Sequence, residues 1–384
     1  MALNLQSILE TLTAHSITEH PFLSLYLNWH PDGNGRRQET MQALTQELDM
    51  IAERVKERDH GLDSFNADRE RIMTYVDTEA PPDATTLAIF ACNADDVWMT
   101  LPLQVPVENQ IVEDRYPHVF NLARMIDDYE TYAVVLADAQ ESRILVISLN
   151  AAEQVAETEA AEEIKHFQSG GPDQMIFQRR TDNLIKAHTK DIGQELARII
   201  KRYDVQHVIV AGNDSTKGIV LENLPDQIKE KLVDYVKLDI QSNLQSIMEV
   251  IDPMMRDVEH KQEADDVAQM EGEVARNGLG VAGVSDTAMA LSKGQVMTLI
   301  MHQNFNAVGG ECPNCGTIRA GLRDKCPYDG AELQQADLRE LFTTRAVQQG
   351  SAIQVVEASE YLDQHEGVGA LLRYRDDVAT NPPA

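Results

Sequence analysis

Apolar positions recur along the chain with two different periods. Residues 22–28 (FLSLYLN) and 85–92 (TTLAIFAC) are short apolar runs beside turn-forming residues, which is typical of strands. Between them, one apolar face at helical spacing is formed by Met41, Leu44, Leu48, Ile51 and Val55. An acidic stretch follows the second strand and ends near Glu130. We therefore predict an N-terminal α/β domain over residues 1–130.

A second unit begins at Tyr132, where two apolar runs flank a polar turn in AVVLADAQESRILVISL, the pattern of a β-hairpin. A polar, glycine-containing loop is expected at 151–180, and QHVIVAG at 206–212 is typical of a buried parallel strand. The two amphipathic helices expected around that strand carry Ile185, His188, Ile192, Leu196 and Ile199, and Ile228, Leu232, Val236, Ile240 and Leu244. This alternation predicts a middle α/β domain over residues 131–251.

A charged stretch at 252–277 has helical composition and leads into a C-terminal domain, residues 252–384. Its expected strands and strand-like runs are QVMTLIM (295–301), SAIQVVE (351–357) and GVGALLRY (367–374). A cysteine-containing insertion at 310–331 resembles a zinc ribbon. The predicted fold class is α/β, with three α/β domains in series.

Composition narrows the class of protein. Of the 384 residues 43% are apolar, which is enough for real hydrophobic cores. No apolar run reaches about 18 residues, so we expect no membrane span, and MALNLQSILETLTAH does not look like a secretory signal. Four cysteines, three of them clustered late, do not make a disulfide framework. We therefore expect a cytoplasmic protein.

The formal charge of −30 opposes binding to RNA phosphate and by itself suggests only solubility. The stretch from Lys165 to Arg202 is positively charged in this acidic chain, because it has eight Lys and Arg against four Asp and Glu. It includes the segment KHFQSGGPDQMIFQRR, in which Gly170 and Gly171 permit unusual backbone conformations and two arginines end the run. Such residues are typical of phosphate contacts. A flexible loop followed by a solvated helix face is the alternative.

The cysteine cluster is the most chemically specific motif. Cys312 and Cys315 form one Cys-Pro-x-Cys turn, and Cys326 opens a second turn in which Asp329 takes the place of a cysteine. Paired ligands on two tight turns suit a tetrahedral structural Zn²⁺ site, although carboxylate is a harder ligand than thiolate. A decayed zinc ribbon that keeps its turns without metal is the other possibility.

The order of these features resembles the bacterial branch of the superfamily that contains archaeal and eukaryotic class 1 release factors and Pelota. The resemblance covers roughly residues 130–380 and is loose in the N-terminal domain. It implies a tRNA-shaped molecule in the A site of the 70S ribosome, with the N-terminal domain facing the decoding centre. The middle domain would reach the peptidyl-transferase centre, and elongation factor Tu in its GDP form would be a natural partner.

Release factors of this superfamily hydrolyse peptidyl-tRNA with a contiguous Gly-Gly-Gln, and here the match breaks. Pro172 and Asp173 separate Gly171 from Gln174, which displaces the glutamine and fixes the backbone at proline. Neither of the stop-codon motifs, NIKS and YxCxxxF, is present. Codon-directed termination is therefore not expected.

The resemblance and the broken motif lead to a first hypothesis, a non-catalytic hibernation factor that contacts rRNA and inhibits translation. Its expected RNA-contacting residues in the middle domain are Gly170, Gly171, Pro172, Asp173, Gln174, Gln178, Arg179 and Arg180. Arg36 and Arg37, after the first strand, are expected near the decoding centre together with Trp29. We expect no catalytic residue under this hypothesis, no DNA and no membrane partner.

Two further hypotheses remain open. The protein is an enzyme, a peptidyl-tRNA hydrolase that rescues stalled ribosomes with Gln174 placing the water, or it is a scaffold or RNA-binding module away from the ribosome. The chain has no phosphate-binding loop, so we do not expect it to bind GTP. Among other candidates, His166 is assigned to RNA contact, His188 to the core, and Cys92 to a small buried position.

Overall fold

The structure is a computed structural model, and it describes residues 5–15, 17–58, 60–138, 141–148, 151–159, 172–213, 217–321 and 325–376, without the side chains of 151–153, 158–159, 172–182, 184, 185 and 219. The chain forms two compact units. One is Tyr129–His260, and the other joins Leu3–Asp128 to Lys261–Ala384. The chain is mixed α/β, as predicted. The boundaries at 130 and 251 remain predictions.

The N-terminal segment contains a four-stranded antiparallel sheet in the order β3-β2-β1-β4. Its elements are α1 (Leu5–Thr13), β1 (Phe22–Asn28), α2 (Gln38–Glu57), α3 (Leu62–Thr78), β2 (Thr86–Cys92), β3 (Val97–Leu103), β4 (Gln110–Asp114) and α4 (Phe120–Asp128). The two strands and the helix predicted here, β1, β2 and α2, are confirmed. The acidic stretch contains β3, β4 and α4, which the apolar pattern did not reveal.

Alternation along β1 explains the main core of this segment. Leu23, Leu25 and Leu27 point to the face covered by α2 and α3, where they pack against Leu44 and Leu48. All of these side chains are fully buried. Side chains of a strand alternate between faces, so the remaining β1 residues lie on the other side of the sheet. Cys92, predicted to be buried, has no exposed surface.

The middle unit is a mixed five-stranded sheet in the order β7-β6-β5-β8-β9. Its elements are β5 (Tyr132–Ala137), β6 (Glu141–Ser148), β7 (Ala151–Glu159), α5 (Pro172–Tyr203), β8 (His207–Gly212), α6 (Lys217–Asn223), α7 (Asp226–Lys229), β9 (Leu232–Lys237) and the first half of α8 (Leu244–Ala275). The predicted hairpin, β5 with β6, and the parallel strand β8 are confirmed.

Two predictions for the middle unit are wrong. The stretch 151–180 is not one loop, because β7 pairs with β6 and α5 begins at Pro172. The second amphipathic helix is mostly absent, because residues 232–237 form β9, parallel to β8. Tyr235 and Val236 are buried on opposite faces of the sheet. A strand that is covered on both faces has apolar residues without clear alternation, so its pattern resembles a helix.

The C-terminal segment contains a four-stranded sheet in the order β10-β16-β11-β15 and a small sheet in the order β13-β12-β14. Its elements are β10 (Gly280–Ala282), α9 (Val284–Ser292), β11 (Val296–His302), β12 (Val308–Glu311), β13 (Ile318–Ala320), β14 (Gln334–Asp337), α10 (Leu338–Gln348), β15 (Ala352–Val356), α11 (Glu360–Gln364) and β16 (Val368–Leu372). The strands predicted at 295–301, 351–357 and 367–374 are confirmed. Among the described helices, none combines the length and the apolar character needed to cross a bilayer.

Hydrogen bonds join the N-terminal and C-terminal segments inside their shared unit. Asp127, on α4, accepts hydrogen bonds from the backbone amide of Val355 at 2.6 Å and from the side chain of Gln354 at 3.2 Å. Val355 lies on β15, an edge strand, so α4 covers part of that edge. A further hydrogen bond joins α10 to α1. The side-chain amide of Gln348 donates it to the backbone carbonyl of Thr13, the last residue of α1.

Candidate functional site

Two tight turns beside the small sheet carry the cysteine cluster. In the first turn the amide of Gly316 donates to the carbonyl of Cys312 at 2.9 Å, and in the second Gly330 donates to Cys326 at 3.0 Å. Both glycines have positive φ, 69° and 74°. Glycine adopts this conformation at little steric cost, so each turn folds back tightly. The first and fourth residues of each turn therefore lie side by side.

The four potential ligand atoms of the cluster lie within 4.8 Å of one another. The Sγ atoms of Cys315 and Cys326 are 3.5 Å apart, and Sγ of Cys312 is 3.4 Å from Oδ2 of Asp329. A tetrahedral zinc site with bonds of about 2.0–2.3 Å has ligand-to-ligand distances of about 3.3–3.8 Å. These two distances match tetrahedral coordination, and the predicted set of three cysteines and one aspartate could hold a metal.

The ligands differ in their surroundings. Burial raises the pKa of the Cys326 thiol to about 11, whereas a hydrogen bond with Thr317 lowers the pKa of Cys315. The amide of Ala331 donates to Asp329 at 3.0 Å and lowers the pKa of its carboxyl group. Metals bind thiolates, so loading this site would release protons.

Thr317 is a supporting residue that the sequence analysis missed. Its hydroxyl lies 3.2 Å from Sγ of Cys315, and its carbonyl accepts the amide of Cys312 at 2.9 Å. In the second turn the carbonyl of Ala331 accepts the amide of Cys326 in the same way, at 2.8 Å. Both residues directly follow the turn glycine, and this repeated position was the available signal.

The segment predicted to contact RNA in the middle unit lies partly in a helix. Gly170, Gly171 and His166 lie outside the described residues. Pro172 is the first residue of α5, a position that suits proline because its φ is fixed and no amide is needed there. The remaining predicted contacts lie in the first turns of this helix: Asp173, Gln174, Gln178, Arg179 and Arg180. Their role in RNA contact remains a prediction.

Further along α5, one side is buried and the other is basic. His188 is 3% exposed, which confirms its predicted place in the core, and Ile192 and Leu196 continue that buried face. The exposed basic residues of the helix are Lys186, Lys190, Arg198, Lys201 and Arg202. Arg198 pairs with Glu195 at 2.8 Å. The positive residues of the Lys165–Arg202 stretch that the structure describes therefore face solvent.

The two arginines after β1 that are predicted to contact RNA have different surroundings. Arg37 donates to the carbonyls of Trp29 at 2.5 Å and Pro82 at 2.6 Å, and its guanidinium lies 4.7 Å from the centre of the Trp29 ring. Arg36 is exposed, and its backbone amide donates to Asp32 at 2.8 Å. Arg37 thus holds the loop in place, while the Arg36 side chain faces solvent.

Comparison with known proteins matches the middle of the chain to a family. Residues 117–259 match the model of bacterial archaeo-eukaryotic release factor family 10. Peptide chain release factor subunit 1 of Archaeoglobus fulgidus is 21% identical over 299 residues, which is 72% of this chain and 73% of that protein. The matched residues are thus similar to the archaeo-eukaryotic release factor superfamily. The predicted resemblance to this superfamily is confirmed.

Other members of the superfamily are similar over comparable lengths. Peptide chain release factor subunit 1 of Thermoplasma acidophilum is 22% identical and covers 68% of each chain. Among solved structures, ribosome-bound archaeal Pelota with ABCE1 is 17% identical over 76% of this chain and 78% of that chain, with a TM-score of 0.43.

Proposed function

We propose that this protein is a non-catalytic cytoplasmic hibernation factor that occupies the vacant A site of the 70S ribosome and inhibits translation. The superfamily to which the matched residues are similar contains peptide chain release factors, which supports a role in translation. In this proposal the middle unit reaches the peptidyl-transferase centre and contacts rRNA. The N-terminal segment faces the decoding centre, and elongation factor Tu in its GDP form binds as a partner.

The observation that carries the proposal is the start of α5 at Pro172. Gln174 is the third residue of this helix and lies two residues further from Gly171 than in a contiguous Gly-Gly-Gln. Hydrolysis by such a motif depends on holding a water against the ester, and a misplacement of about 1 Å costs about a hundredfold in rate. A glutamine that is fixed in a helix at a displaced position is poorly suited to that task.

The same helix start suits binding to phosphate. The first amides of a helix have no partner within the helix, and the helix dipole adds partial positive charge at this end. Arg179 and Arg180 belong to the following turns, and exposed lysines and arginines continue along the helix. These features support a contact with rRNA by residues 170–180, despite a net charge of −30 for the whole chain.

We further propose that the cysteine cluster binds structural Zn²⁺. Two of the ligand-to-ligand distances, 3.4 and 3.5 Å, match tetrahedral coordination, and all four positions are protein side chains, so no open coordination position is needed. The ion would tie the two turns together. It would supply no step of a reaction.

Ribosome binding tests the proposal directly. The full chain is sedimented with empty 70S ribosomes at low salt, beside the double variant Arg179→Gln/Arg180→Gln. Arg54→Gln/Lys56→Gln is the matched control, since it removes the same number of cations, here from exposed positions of α2. We expect the wild type and the control to sediment with ribosomes and the test variant to bind weakly. A wild-type protein that stays at the top of the gradient contradicts the proposal.

Peptide release separates this function from that of a hydrolase. Ribosomes carrying labelled peptidyl-tRNA are mixed with excess wild-type protein or with Gln174→Ala, and release is followed in a single turnover. We expect both proteins to give the rate of the protein-free control. Release that is fast with the wild type and lost with Gln174→Ala would instead identify a peptidyl-tRNA hydrolase.

A further inference from the structure

An open groove of about 400 Å³ lies between α3 and the edge strand β3 in the N-terminal segment. Its walls include Glu70, Arg71, Thr74, Tyr75, Glu79 and Trp98. This volume lies within the range of about 300–1,000 Å³ that is usual for ligand sites.

The groove contains an aromatic surface that already holds a cation. The guanidinium of Arg71 lies 4.2 Å from the centre of the Trp98 ring, and Tyr75 meets that ring edge-on at 6.1 Å. Trp98 is half-buried, whereas Arg71 is exposed. Tryptophan is the side chain that best attracts a cation to its ring face. A guanidinium or ammonium group of a ligand can take this position over the ring when Arg71 moves away from it.

The charge around the groove favours a cationic ligand. Glu70 and Glu79 line it and are exposed. Helix α3 carries four acidic residues and two basic residues, in a chain of net charge −30. Nucleic acid would bring phosphates toward these carboxylates and would be repelled. A segment rich in lysine or arginine would be attracted.

The strand beside the groove favours an extended ligand. β3 is the last strand in the order β3-β2-β1-β4, so one of its edges lies beside no other strand of this described sheet. Trp98 pairs with Ala91 and Thr100 with Ile89, and both partners belong to the core under α2 and α3. The side chains of Trp98 and Thr100 therefore lie on the helix-facing side. An added strand would place every second side chain on that side as well.

We propose that this groove binds an extended basic segment of a partner protein. A lysine or arginine of the segment lies over Trp98, in the place that Arg71 holds in the free protein, and Glu70 and Glu79 on the groove walls attract it. The backbone of the segment runs along the outer edge of β3. The inference does not depend on the proposed ribosomal function, and it is tested on the isolated full-length protein.

The test uses a labelled peptide of alternating lysine and valine, with a glutamate–valine peptide for comparison. The chain has two tryptophans, and Trp29 is 4% exposed, so a change of tryptophan fluorescence on binding reports mainly on Trp98. We expect the lysine peptide to bind and to change this fluorescence, and the glutamate peptide to do neither. Failure of the lysine peptide to bind overturns the proposal.

Variants locate the binding site. Glu70→Gln/Glu79→Gln should weaken binding by about fivefold, since each exposed ion pair contributes roughly 0.5 kcal/mol. The control Glu53→Gln/Glu57→Gln removes two exposed charges from α2 and should leave binding unchanged. Equal weakening in both variants would mean that only net charge matters and would overturn the proposal.

Arg71→Ala gives the sharpest result, because it removes the internal cation from Trp98. A groove built for a cation should bind the lysine peptide more tightly after this change, by about threefold or more. If Arg71 only supports the fold, binding should stay the same or weaken, and this would contradict the proposal. Binding of a single-stranded oligouridine in place of the lysine peptide, with loss of that binding in Trp98→Leu, would assign the groove to RNA and also overturn it.

Discussion

The carboxylate of Glu340 accepts a hydrogen bond from the backbone amide of Phe120 at 2.9 Å, although the two residues are 220 positions apart. It also accepts the amide of Val119 at 2.7 Å. Phe120 is the first residue of α4, so a side chain from the C-terminal segment caps a helix of the N-terminal segment. Glu340 is 2% exposed, and burial raises the pKa of its carboxyl group.

His118 adds a second titratable group to this contact between the segments. Its Nε2 lies 2.9 Å from Asp114, and its Nδ1 lies 3.6 Å from Glu340. Burial lowers the pKa of this imidazole, but the hydrogen bond with Asp114 and the charge of Glu340 raise it more, so its pKa lies above the usual value. The imidazole thus lies between two carboxylates at the contact between the two segments.

Removing the Glu340 carboxylate should destabilise this unit. In Glu340→Ala two buried amides lose their acceptor, and we expect the free energy of unfolding to fall by about 2–4 kcal/mol. Glu340→Gln keeps an acceptor oxygen for the amides, so its loss of unfolding free energy should be smaller than that of Glu340→Ala. Urea unfolding measures both variants, and hydrogen exchange should show faster exchange of the Phe120 amide in Glu340→Ala only.

The control for this joint is Glu360→Ala, at an exposed position on α11. It should change stability by no more than about 0.5–1 kcal/mol. If Glu340→Ala unfolds at the wild-type urea concentration and its Phe120 amide stays protected, Glu340 does not hold the two segments together.

Asp68 should make stability depend on pH. Its side chain is buried and accepts the amide of Asn93 at 2.8 Å, and burial raises its pKa to about 6. Between about pH 4 and 6 the folded state binds more protons than the unfolded state, so stability falls as pH rises through this window. The free energy of unfolding of Asp68→Asn should match that of the wild type near pH 4 and exceed it by about 2 kcal/mol at pH 7.

Thermal or urea unfolding across this pH range checks the Asp68 prediction. Asp77→Asn, at an exposed position of the same helix, is the control. Its free energy of unfolding should depend on pH in nearly the same way as that of the wild type. An Asp68→Asn variant that keeps the full wild-type slope between pH 4 and 6 would show that another group is responsible for the dependence.

Metal content tests the cysteine cluster. Protein purified under reducing conditions should contain about one zinc per chain and lose it to a strong chelator. Asp329→Cys should retain zinc against higher chelator concentrations than the wild type, because thiolate is the softer ligand, and Asp329→Ala should lose it at lower concentrations. Glu332→Gln, near the second turn but outside the cluster, should behave as the wild type. Wild-type protein free of zinc after this handling contradicts the site.

The salt dependence of ribosome binding tests the phosphate contacts. Each phosphate contact that is lost lowers the slope of log affinity against log salt by about one. Arg179→Gln/Arg180→Gln should therefore reduce the slope by about two, while Arg54→Gln/Lys56→Gln should leave it unchanged. A test variant that binds more weakly with an unchanged slope would point to a role of these arginines in folding.

Local patterns were sufficient where local contacts decide the structure. The hairpin of β5 and β6, the helix α2 and the two cysteine turns all depend on residues a few positions apart, so periodicity and spacing predicted them. Strand β9 was mistaken for part of a helix because it is buried on both faces. The first turns of α5 were mistaken for a loop because glycine and proline usually break helices, whereas Pro172 begins one.

By itself, the sequence determined the α/β class, the resemblance to release factors and the grouping of three cysteines with Asp329, because each depends on the order and short spacing of residue types. Only the tertiary structure decided that Glu340 caps α4 and that Arg71 lies over Trp98 beside an edge strand. These contacts join residues that are distant along the chain. Burial, register and strand order select such pairs, and a single sequence carries no local signal for them.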